Sequence, residues 1–131
     1  MRTAADPFDV VIVGAGPAGG LAAERIARKG YEVAVIEEHR EIGEPIQCGG
    51  LVTPRVFDYV KCKETILGEI HGAEIFSPKG RCLRIDGHET EAVVVDRAMF
   101  DRAILTEAVR AGAHTFLGTP AQAAAYVDGG V

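Results

Sequence analysis

The residues with the clearest chemistry are Gly14-Ala15-Gly16-Pro17-Ala18-Gly19 and Glu37. The glycines follow an apolar run, Val10-Val11-Ile12-Val13, and Glu37 ends a second run, Val33-Ala34-Val35-Ile36. This order predicts a buried strand, a glycine turn, a helix, a second strand and an acid at its end. Each position has a task. Gly14 permits a tight turn, Gly16 lets a pyrophosphate approach bare backbone, and Gly19 lets the helix lie close to the strand. The helix start offers free N–H groups and the positive end of a dipole to the phosphates. Glu37 stands 18 residues beyond Gly19, where a carboxylate can accept hydrogen bonds from ribose hydroxyls. A bare GxGxxG is weak, but the strand, helix and acid around it predict a dinucleotide site. The bland alternative is a glycine turn that starts a helix and holds no ligand.

The elements that must position these residues follow from periodicity and turn chemistry. A strand over 9–14, a helix over 17–29 and a strand over 32–37 come first, with Gly30 capping the helix and Ala22 and Ile26 facing the sheet. A polar, glycine-rich stretch runs from Glu38 to Gly50, and a short helix is expected over Pro54 to Tyr59. Three extended segments follow: Gly72 to Phe76, Arg81 to Asp86 and Ala92 to Val95. Ser77-Pro78-Lys79-Gly80 should join the first two as a hairpin. Asp96 can N-cap a helix running to about Ala111, with Phe100, Ile104 and Ala108 on one face and Gly112 stopping it. Ala113 to Leu117 and Ala121 to Val127 read as strands, the second ending in the turn Asp128-Gly129-Gly130.

Composition bounds the function. The 131 residues allow one domain with a real core, and 47% hydrophobic with 25% charged residues is the balance of a soluble α/β domain. A net charge of −5 argues against a nucleic-acid surface. No apolar run nears the roughly 20 residues that span a bilayer, which leaves peripheral action on a lipid open. Met1 to Asp9 holds one Arg and no apolar stretch, so it does not read as a secretory signal. Cys48, Cys62 and Cys82 form no CxxC unit and cannot all pair, which points to a reducing cytosol and no structural zinc. His39, His71, His88 and His114 are scattered and show no metal-ligand pattern. Each reads as a surface or hydrogen-bonded histidine, and Cys62 and Cys82 read as structural.

Two further stretches carry a resemblance. The glycine turn with Glu37 looks like the FAD-binding start of the glutathione-reductase-like and hydroxybenzoate-hydroxylase-like flavoproteins. Glu41-Ile42-Gly43-Glu44-Pro45-Ile46-Gln47-Cys48-Gly49-Gly50-Leu51 resembles the E-I-G-x-P-x-x-C-G/A-G loop of the geranylgeranyl reductase family. Val95-Asp96-Arg97-Ala98-Met99-Phe100-Asp101 with Leu105 resembles its V-x-R-x-x-F-D-x-x-L segment. The resemblance covers nearly the whole chain and implies a Rossmann-like α/β FAD-binding fold with an inserted β-hairpin. Residues 1–131 would be the N-terminal portion of that domain, since the turn Asp128-Gly129-Gly130 has no partner strand after it, and the substrate domain would be absent.

The same resemblance implies roles. Gly14, Ala15, Gly16, Pro17, Ala18 and Gly19 would cradle the FAD pyrophosphate, and Glu37 would hold the adenosine ribose. Cys48, Gly49 and Gly50 would lie along the FAD toward the flavin. Arg97 would reach the cofactor, with a surface helix residue as its bland reading, and Ala121 would offer backbone near the adenine. The family often has a basic residue after the ribose acid; Glu38 stands there, and Arg40 is the nearest replacement. Cys48 reads either as a small residue in a tight loop or as a catalytic thiol for proton delivery or flavin tuning. A reactive thiol needs a positive or dipolar neighbour, and the sequence shows none beside it. The implied activity is reduction of isoprenoid double bonds by hydride from reduced flavin. The electron donor would be NADPH, ferredoxin or another carrier. The substrate would be a prenyl lipid, met in the cytoplasm or at the membrane periphery. The alternatives are an FAD-dependent aromatic monooxygenase, which the cysteine loop disfavours, and a non-catalytic dinucleotide-binding module.

Overall fold

Short runs of Val, Ile and Ala set the frame, but only the second is buried: Val33, Ala34 and Val35 are covered, whereas Val11 and Val13 of the first run, expected to be a buried strand, are exposed on one face. The computed structural model describes residue 3 and residues 6–131. Strand β1 (Val10–Val13) leads into helix α1 (Pro17–Ala27) and strand β2 (Val33–Ile36). Strands β3 (Leu51–Val52), β4 (Ile66–Ile70), β5 (Gly72–Phe76), β6 (Cys82–Asp86) and β7 (Ala92–Val95) follow. Helix α2 (Arg97–Arg110) and strand β8 (His114–Phe116) come last. A parallel sheet has the order β1-β2-β8, an antiparallel sheet has the order β3-β7-β4, and β5 and β6 form the hairpin. The expected hairpin closes through Ser77 and Arg81, with Ile75 opposite Leu83.

Two cores hold these layers. Val33, Val35, Ala23, Ala27 and Ala108 pack under the parallel sheet. Phe100, Ile104, Val93, Val95, Val60 and Cys62 pack under the antiparallel one, with Phe57 edge-on to Phe100 at 6.2 Å. The two helices join the cores, since a Cβ on Gly20 of α1 would stand 2.9 Å from Ile104 Cγ2 of α2. Asp96 caps α2 as expected, accepting from the Met99 N–H at 2.9 Å. Among the described residues no helix is long and apolar enough to cross a membrane.

Several expectations change. The buried face of α1 is Gly20, Ala23 and Ala27; Ile26 is partly buried against the core and Ala22 is half-buried. Small residues win there because the neighbouring helix comes so close. The short helix expected over Pro54 to Tyr59 does form, as a 3-10 helix over Pro54–Asp58. No strand forms over 121–127. That stretch is exposed, and only Val127 and Gly130 bridge around the turn. Its alanines give a strand little side chain to pack. Strands β3 and β4 were not expected. β3 has two residues and pairs far along the chain with β7, so no local signal marks it. Of the cysteines, Cys62 is buried, whereas Cys82 is exposed on β6 and does not support the core.

Phe100 is fully buried and Tyr126 is 93% exposed. Phe100→Ala should cost about 3–5 kcal/mol through lost transfer and a cavity. Tyr126→Ala should change stability by no more than about 0.5 kcal/mol. Urea unfolding of both variants checks this, and similar losses would contradict the packing described.

Candidate dinucleotide site

The glycine turn separates into a packing half and an open half. A Cβ on Gly19 would stand 2.0 Å from the Gly14 carbonyl oxygen, so only glycine lets α1 start this close to β1. Gly14 has φ +95° and its N–H donates to the Ile36 carbonyl at 2.8 Å, tying the turn to β2. Cβ atoms on Gly14 or Gly16 would meet nothing within 4 Å. Gly16 is the N-cap of α1 and Pro17 opens the helix, with no side chain satisfying the first turn. The start of α1 thus presents bare N–H groups and a positive dipole end to open space.

Glu37 follows β2 and turns back to this helix start. Its Oε2 accepts the Ala15 N–H at 2.9 Å, and its Oε1 accepts the His39 N–H at 2.9 Å. His39 Nδ1 lies 2.7 Å from the same Oε1. Burial pushes the Glu37 carboxyl upward, but these hydrogen bonds outweigh it and hold it below the ordinary glutamate value. Glu37, Glu38 and His39 bring ligand-type atoms within 4.8 Å of one another, so His39 is less isolated than the sequence indicates.

The polar stretch after Glu37 is clamped onto α2 and the end of β7 by two more glycines. Gly43 has φ +78° and its Cβ position falls 2.6 Å from Ala98 Cα; Gly50 has φ +73° and its Cβ position falls 2.2 Å from the Val95 carbonyl oxygen. The Val95 N–H donates to the Gly50 carbonyl at 2.9 Å. This clamp brings Cys48 to Arg97. Arg97 grips Asp101 through Nε at 3.1 Å and Nη2 at 2.9 Å, and Asp101 is buried. Arg97 is raised above its ordinary pKa, first by that hydrogen-bonded carboxylate. The exposed Cys48 thiol is lowered, first by the Gly50 N–H and next by Arg97. Burial raises Cys62 instead.

A cleft of about 250 Å³ gathers Ala15, Gly16, Glu37, Cys48 and Arg97, five of the residues singled out in the sequence. His39, Ile42, Gly43, Pro45 and Asp101 also line it. Gly14, Pro17, Ala18 and Gly19 form the adjoining turn, and Gly50 lies beneath the loop while Gly49 is exposed. Arg40 is outside the cleft lining, its Cγ 3.4 Å from where a Gly118 Cβ would sit. Ala121 is exposed in irregular chain. Sequence reasoning missed Asp101 and His39. Asp101 stands four residues after Arg97 on a helix, where such pairs meet. His39 stands two residues after the acid that it contacts.

A model of the Thi4 family matches residues 3–122. The digeranylgeranylglycerophospholipid reductase 1 of Methanococcoides burtonii is 39% identical over 112 residues, covering 82% of this chain and 28% of that protein. The digeranylgeranylglycerophospholipid reductase of Methanocaldococcus jannaschii is 35% identical over 123 residues, covering 92% of this chain and 31% of that protein. Among solved structures, a geranylgeranyl bacteriochlorophyll reductase-like protein from Thermoplasma acidophilum superposes with TM-score 0.76 at 29% identity, over 85% of this chain and 30% of that one. A mutant of the halogenase PltM in complex with FAD superposes with TM-score 0.71 at 17% identity, over 94% of this chain and 30% of that one, a likeness of fold alone. The chain thus spans about 30% of the length of these relatives. They bear out the resemblance read from the Cys48 loop and the Arg97 segment, and the Rossmann-like fold read from the glycine turn.

Arg97 and the Gly50 N–H stabilise the Cys48 thiolate, so Arg97→Met should raise the thiol pKa toward its ordinary range. The alkylation rate of Cys48, followed against pH in a variant lacking Cys62 and Cys82, should shift to higher pH on that substitution. An unmoved profile would separate Arg97 from the thiol.

Proposed function

Because the chain belongs to the Thi4 family, and its relatives are named as reductases of geranylgeranyl groups, we propose that it forms the FAD-holding part of an oxidoreductase that saturates isoprenoid double bonds. The observation that carries this reading is the single cleft shared by the open helix start at Gly16, the Glu37 carboxylate and the Cys48–Arg97 pair. These residues fit the cofactor. The space before Gly14 and Gly16 would admit a pyrophosphate against bare N–H groups. Glu37 is ionised and can accept ribose hydroxyls. Arg97 adds a guanidinium, whose forked donors suit phosphate oxygens. Gly49, Gly50 and Ala121 would contribute backbone along the cofactor, and Arg40 the charge that Glu38 lacks.

When bound and reduced, FAD supplies a hydride for one alkene carbon, while a proton joins the other. The chain's own part is to bind, orient and move that proton. Cys48 is the proton donor in this proposal: a thiol of lowered pKa gives up its proton more readily, and Arg97 with the Gly50 N–H steadies the thiolate left behind. Asp101 holds Arg97 in place for that task. Residues 1–131 act as the N-terminal portion of the FAD-binding domain, with the prenyl pocket in the part of the reductase that its relatives carry outside the matched segment. In this reading the substrate is a prenyl lipid, met in the cytoplasm or at the membrane periphery, and the electrons come from NADPH, ferredoxin or another carrier.

The full-length polypeptide should purify yellow, or turn yellow with added FAD; a colourless protein that takes up none would overturn the cofactor. Glu37→Ala should weaken FAD binding by about 1.5–3 kcal/mol, the range for hydrogen bonds to a charged group. Gly16→Val should weaken it more, because a branched side chain fills the pyrophosphate's space. Cys48→Ser should slow alkene reduction while flavin reduction by the donor persists. If both half-reactions survive, Cys48 only shapes the loop.

A further inference from the structure

The proposed chemistry leaves the His39 imidazole unused, yet that ring is built into the ribose acid. Its Nδ1 stands 2.7 Å from Glu37 Oε1, where the His39 backbone N–H also donates at 2.9 Å. The other carboxylate oxygen is taken by the Ala15 N–H at 2.9 Å. The histidine is itself anchored. Its carbonyl accepts the Gly118 N–H at 2.9 Å, the Glu37 N–H donates to the Phe116 carbonyl at 3.0 Å, and the Glu37 carbonyl accepts the Thr119 N–H at 2.8 Å. Both residues of the pair therefore sit on backbone fixed by β8 and the turn after it. The side chains are partly exposed, 38% for His39 and 14% for Glu37, and both line the cleft.

Chemistry decides which partner donates. Glu37 is held ionised, and an ionised carboxylate only accepts. The hydrogen between them must then be carried by His39 Nδ1, which fixes the neutral ring as the Nδ1–H tautomer. A glutamate left alone has three side-chain torsions to freeze when it grips a ligand. A donor that freezes them beforehand removes that cost from binding. Without the ring, the Ala15 N–H and the residue-39 N–H would each hold one oxygen by a single bond, leaving the carboxylate free to rock between them. The ring adds a second bond to Oε1 and takes that oxygen's remaining lone pair, which leaves the open acceptor site on the Ala15-bound oxygen, Oε2.

We propose that His39 is a positioning residue of the ribose subsite: its Nδ1–H holds the Glu37 carboxylate in the orientation that accepts the ribose hydroxyls of FAD. The inference rests on the FAD reading above. In the full-length polypeptide, His39→Phe keeps ring bulk and removes the donor, whereas His39→Asn keeps an N–H near the Nδ1 position. FAD titration should show His39→Phe weaker by about tenfold, the scale of one hydrogen bond to a charged group. His39→Asn should stay within about twofold of the parent. In a Glu37→Gln background, His39→Phe should add little further loss, as expected when two residues act through one contact. Independently, 15N spectra of histidine-labelled protein without FAD should show a hydrogen on Nδ1 of neutral His39. Parental FAD affinity in His39→Phe overturns the proposal while leaving the cofactor reading intact, and so does the opposite tautomer. A parent that takes up no FAD overturns the cofactor reading, and the ribose role falls with it, whatever the tautomer. Should His39→Phe fail to fold, His39→Asn and the spectra still decide.

Discussion

The close seat of α1 on β1 is the constraint from which the site follows. A methyl group on Gly19 would overlap the Gly14 carbonyl oxygen at 2.0 Å, so with any other residue there the helix must start farther from the sheet. With glycine, the first turn of α1 begins at the end of β1, beside the end of β2. That proximity lets Glu37, the residue after β2, reach the Ala15 N–H. The acid and the helix dipole thus share one cleft wall because two strands pair in register, Val13 beside Ile36, and one helix packs tightly.

The second half of the site depends on a different device. The stretch from Glu38 to Gly50 has little apolar content to bury, and Ile42 is its one buried hydrophobic residue. Backbone fit holds it instead. Gly43 and Gly50 adopt left-handed conformations and touch the chain at Ala98 and Val95. Side chains at those positions would lift the loop from α2 and carry Cys48 away from Arg97. The same helix N-terminus that Asp96 caps also supplies Arg97, so capping and charge placement are one local arrangement.

Much of this was legible from residue types. β1, α1, β2, the hairpin and α2 appear where apolar period, turn chemistry and capping put them, since each is specified by neighbours along the chain. The elements that escaped depend on distant partners. β3 exists only because β7 lies beside it, and the stretch over 121–127 has extended-looking sequence but no ladder partner among the described residues. The site divides in the same way. Gly14, Gly16, Gly19 and Glu37 belong to one local motif and were readable. The contacts of Cys48 with Arg97 and of Glu37 with His39 come from folding, although Asp101 and His39 each stand at a spacing that permits them.

Charge shows why the backbone must do most of the anion binding that we propose. The cleft is lined by Glu37, Glu38, Glu41, Glu44 and Asp101 against one guanidinium, Arg97, on a chain of net charge −5. Side-chain charge alone would repel a pyrophosphate from such a wall. Asp101 also spends much of the Arg97 charge, since both of its oxygens are paired with that guanidinium. The attraction must then come from groups that carry no formal charge: the free N–H groups and dipole end of α1 before Gly16. Their pull is short-ranged and fades within the first turn of a helix. A phosphate feels it only if it can come within contact of the backbone, and any side chain at position 16 would stand in the way. The acidity of the cleft and the bareness of Gly16 are therefore linked, because a wall that repels anions at a distance can hold one only by direct contact.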